Sequence, residues 1–320
     1  MKIIENTTEF CINGKTAVAI GKLDGFHRGH QKLLAQLREQ KSRGLQSVVF
    51  TFVPSPAAFF SRETVKELST IAEKRRIFEN AGVDYLIEYP FYQEIADMEP
   101  EAYIKDVLVG MIHAACIVAG DDVSYGKRGA GDCTLLQAKA EEYGYDVMII
   151  DKVLYEGREV SSTYVREEVR NGNMELVTSL LGTPYHVGGE IVHGRKLGRT
   201  IGMPTVNLMP PEEKLLPPNG VYYSYVYLHS KDGTMPYDSR RLPSITNIGT
   251  KPTVDDRSVM GVETYIYDFD SDVYGNDMEV YLLSYKRPEM RFDGVDALKA
   301  QMESDIEAGR KYHGLNGSIR

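Results

Sequence analysis

The stretch AIGKLDGFHRGHQKLL, residues 19–34, decides how the first half of the chain is read. It ends a β-rich run, TAVAIGKL (16–23), in a glycine-bearing turn and opens a helical pattern, HQKLLAQLREQKSRG (30–44), with His27 and His30 at the junction. The same alternation continues outward. SVVFTF (47–52) precedes AEKRRIFENAG (72–82), which leads to DYLIEYP (84–90); ACIVAGD (115–121) precedes LLQAKAEEYG (135–144), which leads to DVMIID (146–151). Strand runs without strict alternation are buried on both faces, and Gly44, Gly82 and Gly144 follow helices where a left-handed cap is wanted. An α/β fold with a doubly wound parallel sheet is expected from residue 16 to about 151.

After SSTYVREEVRNGNMELVTSLLG (161–182) the texture changes to short segments broken by Gly, Pro, Asn and Asp. GVYYSYVYL (220–228), SITNIGT (244–250), VETYIYDF (262–269) and DMEVYLLSYK (277–286) read as strands of a small antiparallel barrel or sandwich. Val295, Leu298, Met302 and Ile306 fall at helical spacing in an amphipathic closing helix over 295–308. Two domains are expected, 1–182 and 183–320, which suits a chain of 320 residues.

A net charge of −9 argues against a protein whose main task is to grip a nucleic-acid backbone. Cys11, Cys116 and Cys133 show no CxxC spacing, so neither a disulfide framework nor a cysteine zinc site is indicated, and a reducing cytoplasm fits. The first residues carry Glu5 and Glu9 where a signal peptide would be apolar, and no apolar run approaches the roughly 18 residues that span a bilayer.

Ligands of open parallel sheets bind at the carboxyl ends of the strands, where helix N-termini offer unpaired N–H groups. Gly21, Gly25 and Gly29 bring backbone close to such a ligand, and His27 and His30 share a face from which ring N–H groups reach phosphate oxygens. Two other readings stand beside phosphate binding: a metal site whose third ligand is not indicated nearby, and packing without a ligand. In SSTYVR (161–166), Ser161 or Ser162 caps a helix; either Arg166, one turn on, presents a planar fork to an anion, or the segment is an ordinary N-cap without a ligand. In the second half, Gly188, Gly189, Gly194, Gly198 and Gly202 suggest either a loop wrapped around a phosphate chain or a glycine-rich turn region without a ligand. Thr205 and Asn207, two apart in PTVN, offer a hydroxyl and an amide oxygen to a magnesium ion, or else satisfy nearby backbone groups.

The motifs resemble a known family. GKLDGFHRGH (21–30) is similar to the G-x-F-D-G-x-H-x-G-H signature of the bacterial flavin adenylyltransferases, in the HxGH nucleotidyltransferase superfamily, with Leu23 where Phe is usual. SSTYVR matches that family's S-S-T-x-hydrophobic-R motif. GGEIVHGRKLGRTIGMPTVNL (188–208) resembles riboflavin kinase, with Val206 for Ala, and the likeness runs on through NGVYYSYV, TNIGTKPTV and GVETYIYDFDSDVYGNDMEVYLL. In order, these segments cover nearly the whole chain and resemble the bacterial bifunctional riboflavin kinase and FAD synthetase family.

The resemblance implies a Rossmann-like domain that adenylylates FMN with ATP to FAD, releasing pyrophosphate, and a barrel with a closing helix that phosphorylates riboflavin to FMN. It implies that His27, His30 and Arg166 stabilise adenylyl transfer and that Gly21, Asp24, Gly25, Gly29, Ser161, Ser162 and Thr163 bind its ATP. For the kinase it implies Glu263 as the base toward the riboflavin hydroxyl, with ATP at Gly194, Gly198, Gly202, Thr205 and Asn207, the last two holding Mg2+. The resemblance also implies flavin contacts at Asp122 and Tyr125 and, through KRPEMRFDG (286–294), at Arg291 or Phe292, where a basic loop before a helix is the other reading.

The family's T-F-D-P-H-P is TFVPSP here, with Val53 and Ser55 for its acid and histidine. GDDVSYG (120–126) has Val123 and Tyr125 where Phe is usual, and Tyr265 stands where the family often has His. Two alternatives follow: a kinase with a weakened or lost adenylyltransferase, and a flavin sensor without turnover. A class I aminoacyl-tRNA synthetase shares a related histidine motif, but the acidic charge and the barrel disfavour it.

Overall fold

Six Val-, Ile- and Phe-rich strands at the front of the chain pair side by side. In this computed structural model, which describes residues 1–61, 64–193, 202–229, 238–252 and 258–315, they are β1 (Lys2–Glu5), β2 (Thr16–Ile20), β3 (Gln46–Val53), β4 (Tyr85–Pro90), β5 (Ala114–Gly120) and β6 (Asp146–Ile150). The order is β1-β4-β3-β2-β5-β6 and every pairing is parallel. β2 is buried at all five positions, as a strand covered on both faces must be.

Between the strands run α1 (Arg28–Glu39), α2 (Pro56–Phe60), α3 (Ile71–Asn80), the single turns α4 (Gln93–Ala96) and α5 (Pro100–Ala102), and α6 (Cys133–Tyr143). Alternate residues of β2 serve opposite cores. Ala17 and Ala19 face Leu33, Leu34 and Leu37 of α1, whereas Val18 and Ile20 face Tyr103, Val107 and Leu108 on the other side. The latter three belong to a π-helical segment, Tyr103–Met111. Gly44, Gly82 and Gly144 are left-handed, as expected after helices. The sequence did not mark β1, the π-helical segment, or a small hairpin of β7 (Leu154–Tyr155) and β8 (Arg158–Glu159).

The strand order reverses between β2 and β5: from β2 the chain moves to β3 and β4, from β5 to β6. A crevice opens at such a switch point, at the carboxyl ends of these two strands. His27, beyond Ile20, and Asp122, beyond Gly120, follow those ends.

The chain divides into compact units Met1–Tyr164 and Val165–Arg320, the division falling within α7 (Ser162–Asn171). In the second unit α8 (Met174–Leu181) packs on two barrel strands, β9 (Tyr185–Val192) and β14 (Asp277–Pro288). With β10 (Val206–Leu208), β11 (Gly220–His229), β12 (Asp238–Pro252) and β13 (Ser258–Ile266) these form a closed antiparallel barrel in the order β10-β13-β12-β11-β14-β9. Its interior carries a chain of hydroxyls, Ser244–Ser224–Thr246–Thr264, linked at 2.7, 2.8 and 2.9 Å. All four residues are fully buried, and each hydroxyl answers another.

The closing helix, α9 (Val295–His313), runs five residues past the expected end. Its apolar stripe is shorter than the spacing suggested: Val295 is 54% exposed, while Met302 and Ile306 join the core with Tyr267. Polar residues complete the buried face. Asp305 receives Arg287 and Lys286 from β14, and Arg310 pairs with Asp268.

Candidate active sites

The loop from β2 to α1 is fixed before any ligand arrives. Asp24 is fully buried, and the backbone N–H groups of Leu68 and Ser69 donate to its Oδ2 (3.2 Å) and Oδ1 (2.9 Å). Its own carbonyl accepts the Ser162 hydroxyl at 2.8 Å. Asp24 therefore holds two segments against the motif loop. Gly25 and Gly29 answer to packing as well: a Cβ on Gly25, at φ +82°, would stand 2.5 Å from Leu68 Cδ1, and one on Gly29 would stand 3.1 Å from the His27 ring. Gly21 is exposed and borders the cleft described below.

His27 is the N-cap of α1, with extended backbone, rather than a residue of its first turn. The two imidazoles nevertheless meet, their rings stacked with centroids 3.7 Å apart. Both Nδ1 atoms are buried without a hydrogen-bond partner. Burial pushes His27 down to about 4, against the opposing pull of Asp122, Asp24 and Glu159. His30 is held well below the usual imidazole range by burial first, then by His27 and Lys74. The site thus presents neutral imidazoles at the N-terminus of a helix, whose dipole is positive there, an arrangement suited to anionic oxygens. Among the described residues no three His, Cys, Asp or Glu side chains gather as metal ligands.

His30 lines a cleft of about 830 Å³ with Gly21, Lys22, Ser55, Asp122, Tyr125 and Ser162. Phe52, Phe60 and Phe91 add an aromatic wall, Phe60 lying 65% exposed. The Tyr125 ring faces the cleft, but its hydroxyl donates to the Asp132 carbonyl at 3.3 Å. Ser55 caps the short α2, accepting from Ala58 N–H at 3.4 Å, and Val123 also borders the space. Lys22, which the sequence reading passed over, pairs with Glu67 at 2.9 Å.

Ser161 caps α7, its hydroxyl accepting from Tyr164 N–H at 3.3 Å, which leaves Ser162 for the bond to Asp24. Thr163 is exposed. Arg166 follows on the same helix, within the second unit.

In the barrel, residues distant in sequence meet. The Thr205 hydroxyl donates to Glu263 Oε1 at 2.5 Å across 58 residues. Asn207 lies opposite Glu263 in the β10–β13 register, and Asn247 lies opposite it on β12. Asn247 escaped the sequence reading because only strand pairing brings it there. Gly202, Pro204 and Thr205 border a hollow of about 530 Å³ with Thr264, Asp270 and Tyr274. Gly194 and Gly198 lie outside the described residues. Arg291 is exposed and Phe292 half-buried, and neither is among the residues lining that hollow.

Both halves match known families. The FAD synthetase profile covers residues 11–164 and the riboflavin kinase profile residues 181–313. The bifunctional riboflavin kinase/FMN adenylyltransferase of Listeria monocytogenes is 34% identical over 309 residues, 96% of this chain and 95% of the relative. The protein of the same description from Escherichia coli K12 is 36% identical over 300 residues, 93% of each chain. A solved structure from Streptococcus pneumoniae, described as a macrolide-efflux protein, superposes with a TM-score of 0.83 at 28% identity, covering 96% of this chain and 98% of that one. That description belongs to the streptococcal protein; among the described residues here, no helix is long and apolar enough to cross a membrane.

Proposed function

The chain belongs to the bifunctional riboflavin kinase/FMN adenylyltransferase family, and from that premise we propose how its residues divide the two reactions. Riboflavin is phosphorylated by ATP to FMN on the barrel, and FMN is adenylylated by ATP to FAD at the parallel sheet.

In the kinase, Glu263 accepts the proton of the riboflavin 5'-hydroxyl as that oxygen attacks the γ-phosphorus of ATP. Its hydrogen bond to Thr205 is the observation that carries this reading, because it joins the base to the residue proposed to meet the nucleotide. Thr205 and Asn207 supply oxygen donors of the kind Mg2+ takes in ones and twos beside phosphate, and the ion would neutralise charge on the ATP phosphates when bound. Gly202 borders the hollow beside Thr205, and Gly194 and Gly198 are assigned to the ATP phosphates on their sequence motif alone. Arg291 and Phe292 serve the flavin ring from the segment after β14.

In the adenylyltransferase, the FMN phosphate attacks the α-phosphorus of ATP and pyrophosphate leaves. Little covalent help is needed, so positioning and charge stabilisation carry the reaction. His30, backed by His27, donates ring N–H to phosphate oxygens, and Arg166 adds a fixed positive charge. Gly21 and the first turn of α7, with Ser161, Ser162 and Thr163, complete the ATP site. Asp24, Gly25 and Gly29 act by holding the loop in shape. Asp122 and the Tyr125 ring contact the flavin. Because the SSTYVR motif straddles the packing division at 164/165, the functional boundary is placed at 182/183.

Three free thiols, Cys11, Cys116 and Cys133, suit a reducing cytoplasm. The deciding experiment is a time course with riboflavin, ATP and magnesium in which riboflavin, FMN and FAD are separated by chromatography. FMN should appear first and FAD after it. FMN that accumulates without FAD, even when supplied directly, would reduce the protein to a kinase; neither product would leave a flavin sensor.

A further inference from the structure

Adenylyl transfer brings two phosphate-bearing reactants into one cleft, yet the motif histidines bring little positive charge to meet them, since burial keeps both imidazoles neutral near pH 7. Among the described residues lining that cleft, the cationic side chains are Lys22 and Arg128, while Asp97 and Asp122 are anionic. Arg128 is exposed, on a left-handed backbone turn. Lys22 is better held. It follows Gly21 at the carboxyl end of β2, and its side chain is 33% exposed. Its ammonium lies 2.9 Å from Glu67 Oε1, and the Ser55 hydroxyl donates to that same oxygen at 3.5 Å. Glu67 is thus a shared acceptor that draws a cation and the cap of α2 to one place on the cleft wall. An ammonium has three donors, and one carboxylate oxygen engages only one of them.

We propose that Lys22 is a phosphate-binding residue of adenylyl transfer, kept at the cleft wall by Glu67 until a nucleotide phosphate shares its ammonium. Lys22 takes this part only if the cleft is the adenylyl-transfer site. A phosphate outcompetes water for such a donor because a charge-assisted bond to a pre-positioned cation requires little reordering of the side chain. The phosphate belongs either to ATP or to FMN, and the two substrates can be told apart.

The test measures initial rates of FAD formation by the full-length protein, varying ATP and FMN in turn, for wild type, Lys22→Met and Lys22→Arg. The denaturant midpoint for loss of FAD formation in the same preparations reports folding of the first unit, in which Lys22 lies. Lys22→Met should raise one KM by roughly tenfold, as loss of a charged hydrogen bond does. A rise for ATP assigns the ammonium to the polyphosphate; a rise for FMN assigns it to the flavin phosphate. Lys22→Arg should restore that KM to within about threefold of wild type, because charge rather than shape is at stake. Both KM values within about twofold of wild type in Lys22→Met, or an arginine variant as impaired as the methionine one, would overturn the proposal. Wild-type protein that makes no FAD from FMN and ATP would instead remove the reading on which it stands, and the proposal with it.

Discussion

In the parallel-sheet unit, His27 and His30 come from one uninterrupted motif and stack at the start of α1. In the barrel, Thr205 and Glu263 come from segments 58 residues apart and meet through strand pairing. The first unit positions its groups by local chain geometry, tightened by the Asp24 contacts; the second positions them by register. A loop site tolerates sliding of distant strands but depends on each local contact. A register site depends on the whole barrel, because a slip of one residue turns Glu263 to the other face.

Disabling the sites one at a time should separate the two units by the largest effect. Glu263→Gln should lower riboflavin phosphorylation at least about 100-fold, the usual loss on removing a general base, while FAD formation from supplied FMN stays intact. His30→Ala should do the reverse. Loss of both activities in either variant would mean that the two units do not act separately.

Acid should separate them by the next largest amount. Native His27 titrates near 4, whereas an unfolded histidine does so near 6.5. Between those values the unfolded chain binds a proton that the native chain refuses, so stability rises with pH across the window and is full above about 6.5. His27 alone then accounts for roughly 3 kcal/mol lost on reaching pH 4. Unfolding midpoints followed from pH 7.5 downward should show this slope in wild type and a shallower one in His27→Asn. Equal slopes would mean that His27 is not buried as a neutral base.

A smaller effect sharpens the local side of the contrast. Asp24→Ala leaves two buried backbone N–H groups unsatisfied and should destabilise the first unit by roughly 1–3 kcal/mol, read as a lower denaturant midpoint for loss of FAD formation. The kinase should be untouched.

How much was legible in the sequence follows the same divide. The four inner strands of the sheet, β2 to β5, declared themselves because burial on both faces demands unbroken apolar runs, and β6, at one edge, carries such a run as well. β1 did not: it is four residues long, only partly buried, and joined to the sheet through β4 alone. The Tyr103–Met111 segment carries apolar residues at spacings an α-helix would also show, so no pattern marks its wider winding. The β7–β8 hairpin turns through Glu156 and Gly157, both at positive φ, without the Asn-Gly or Asp-Gly signal that usually marks such a turn. Val295 kept the helical period yet stands in solvent, since periodicity fixes a face but not where that face runs out of partners. At the sites, the histidine pair was legible as a motif, whereas its stacking was not. Glu263 was found through family resemblance, and Asn247 and Lys22 were missed, because nothing in linear order says which strand or cleft wall a side chain will share.

The closure of the barrel through β9 and β14 has a consequence for synthesis. β9 begins at Tyr185, but the strand that seals it ends at Pro288, so the ribosome must translate nearly the whole kinase half before that seam can form. The six-stranded sheet is complete in sequence by Ile150. Domains fold as units while the chain emerges, and the nascent protein therefore acquires the sheet and histidine pair of the FAD-forming site before it acquires the means to make FMN.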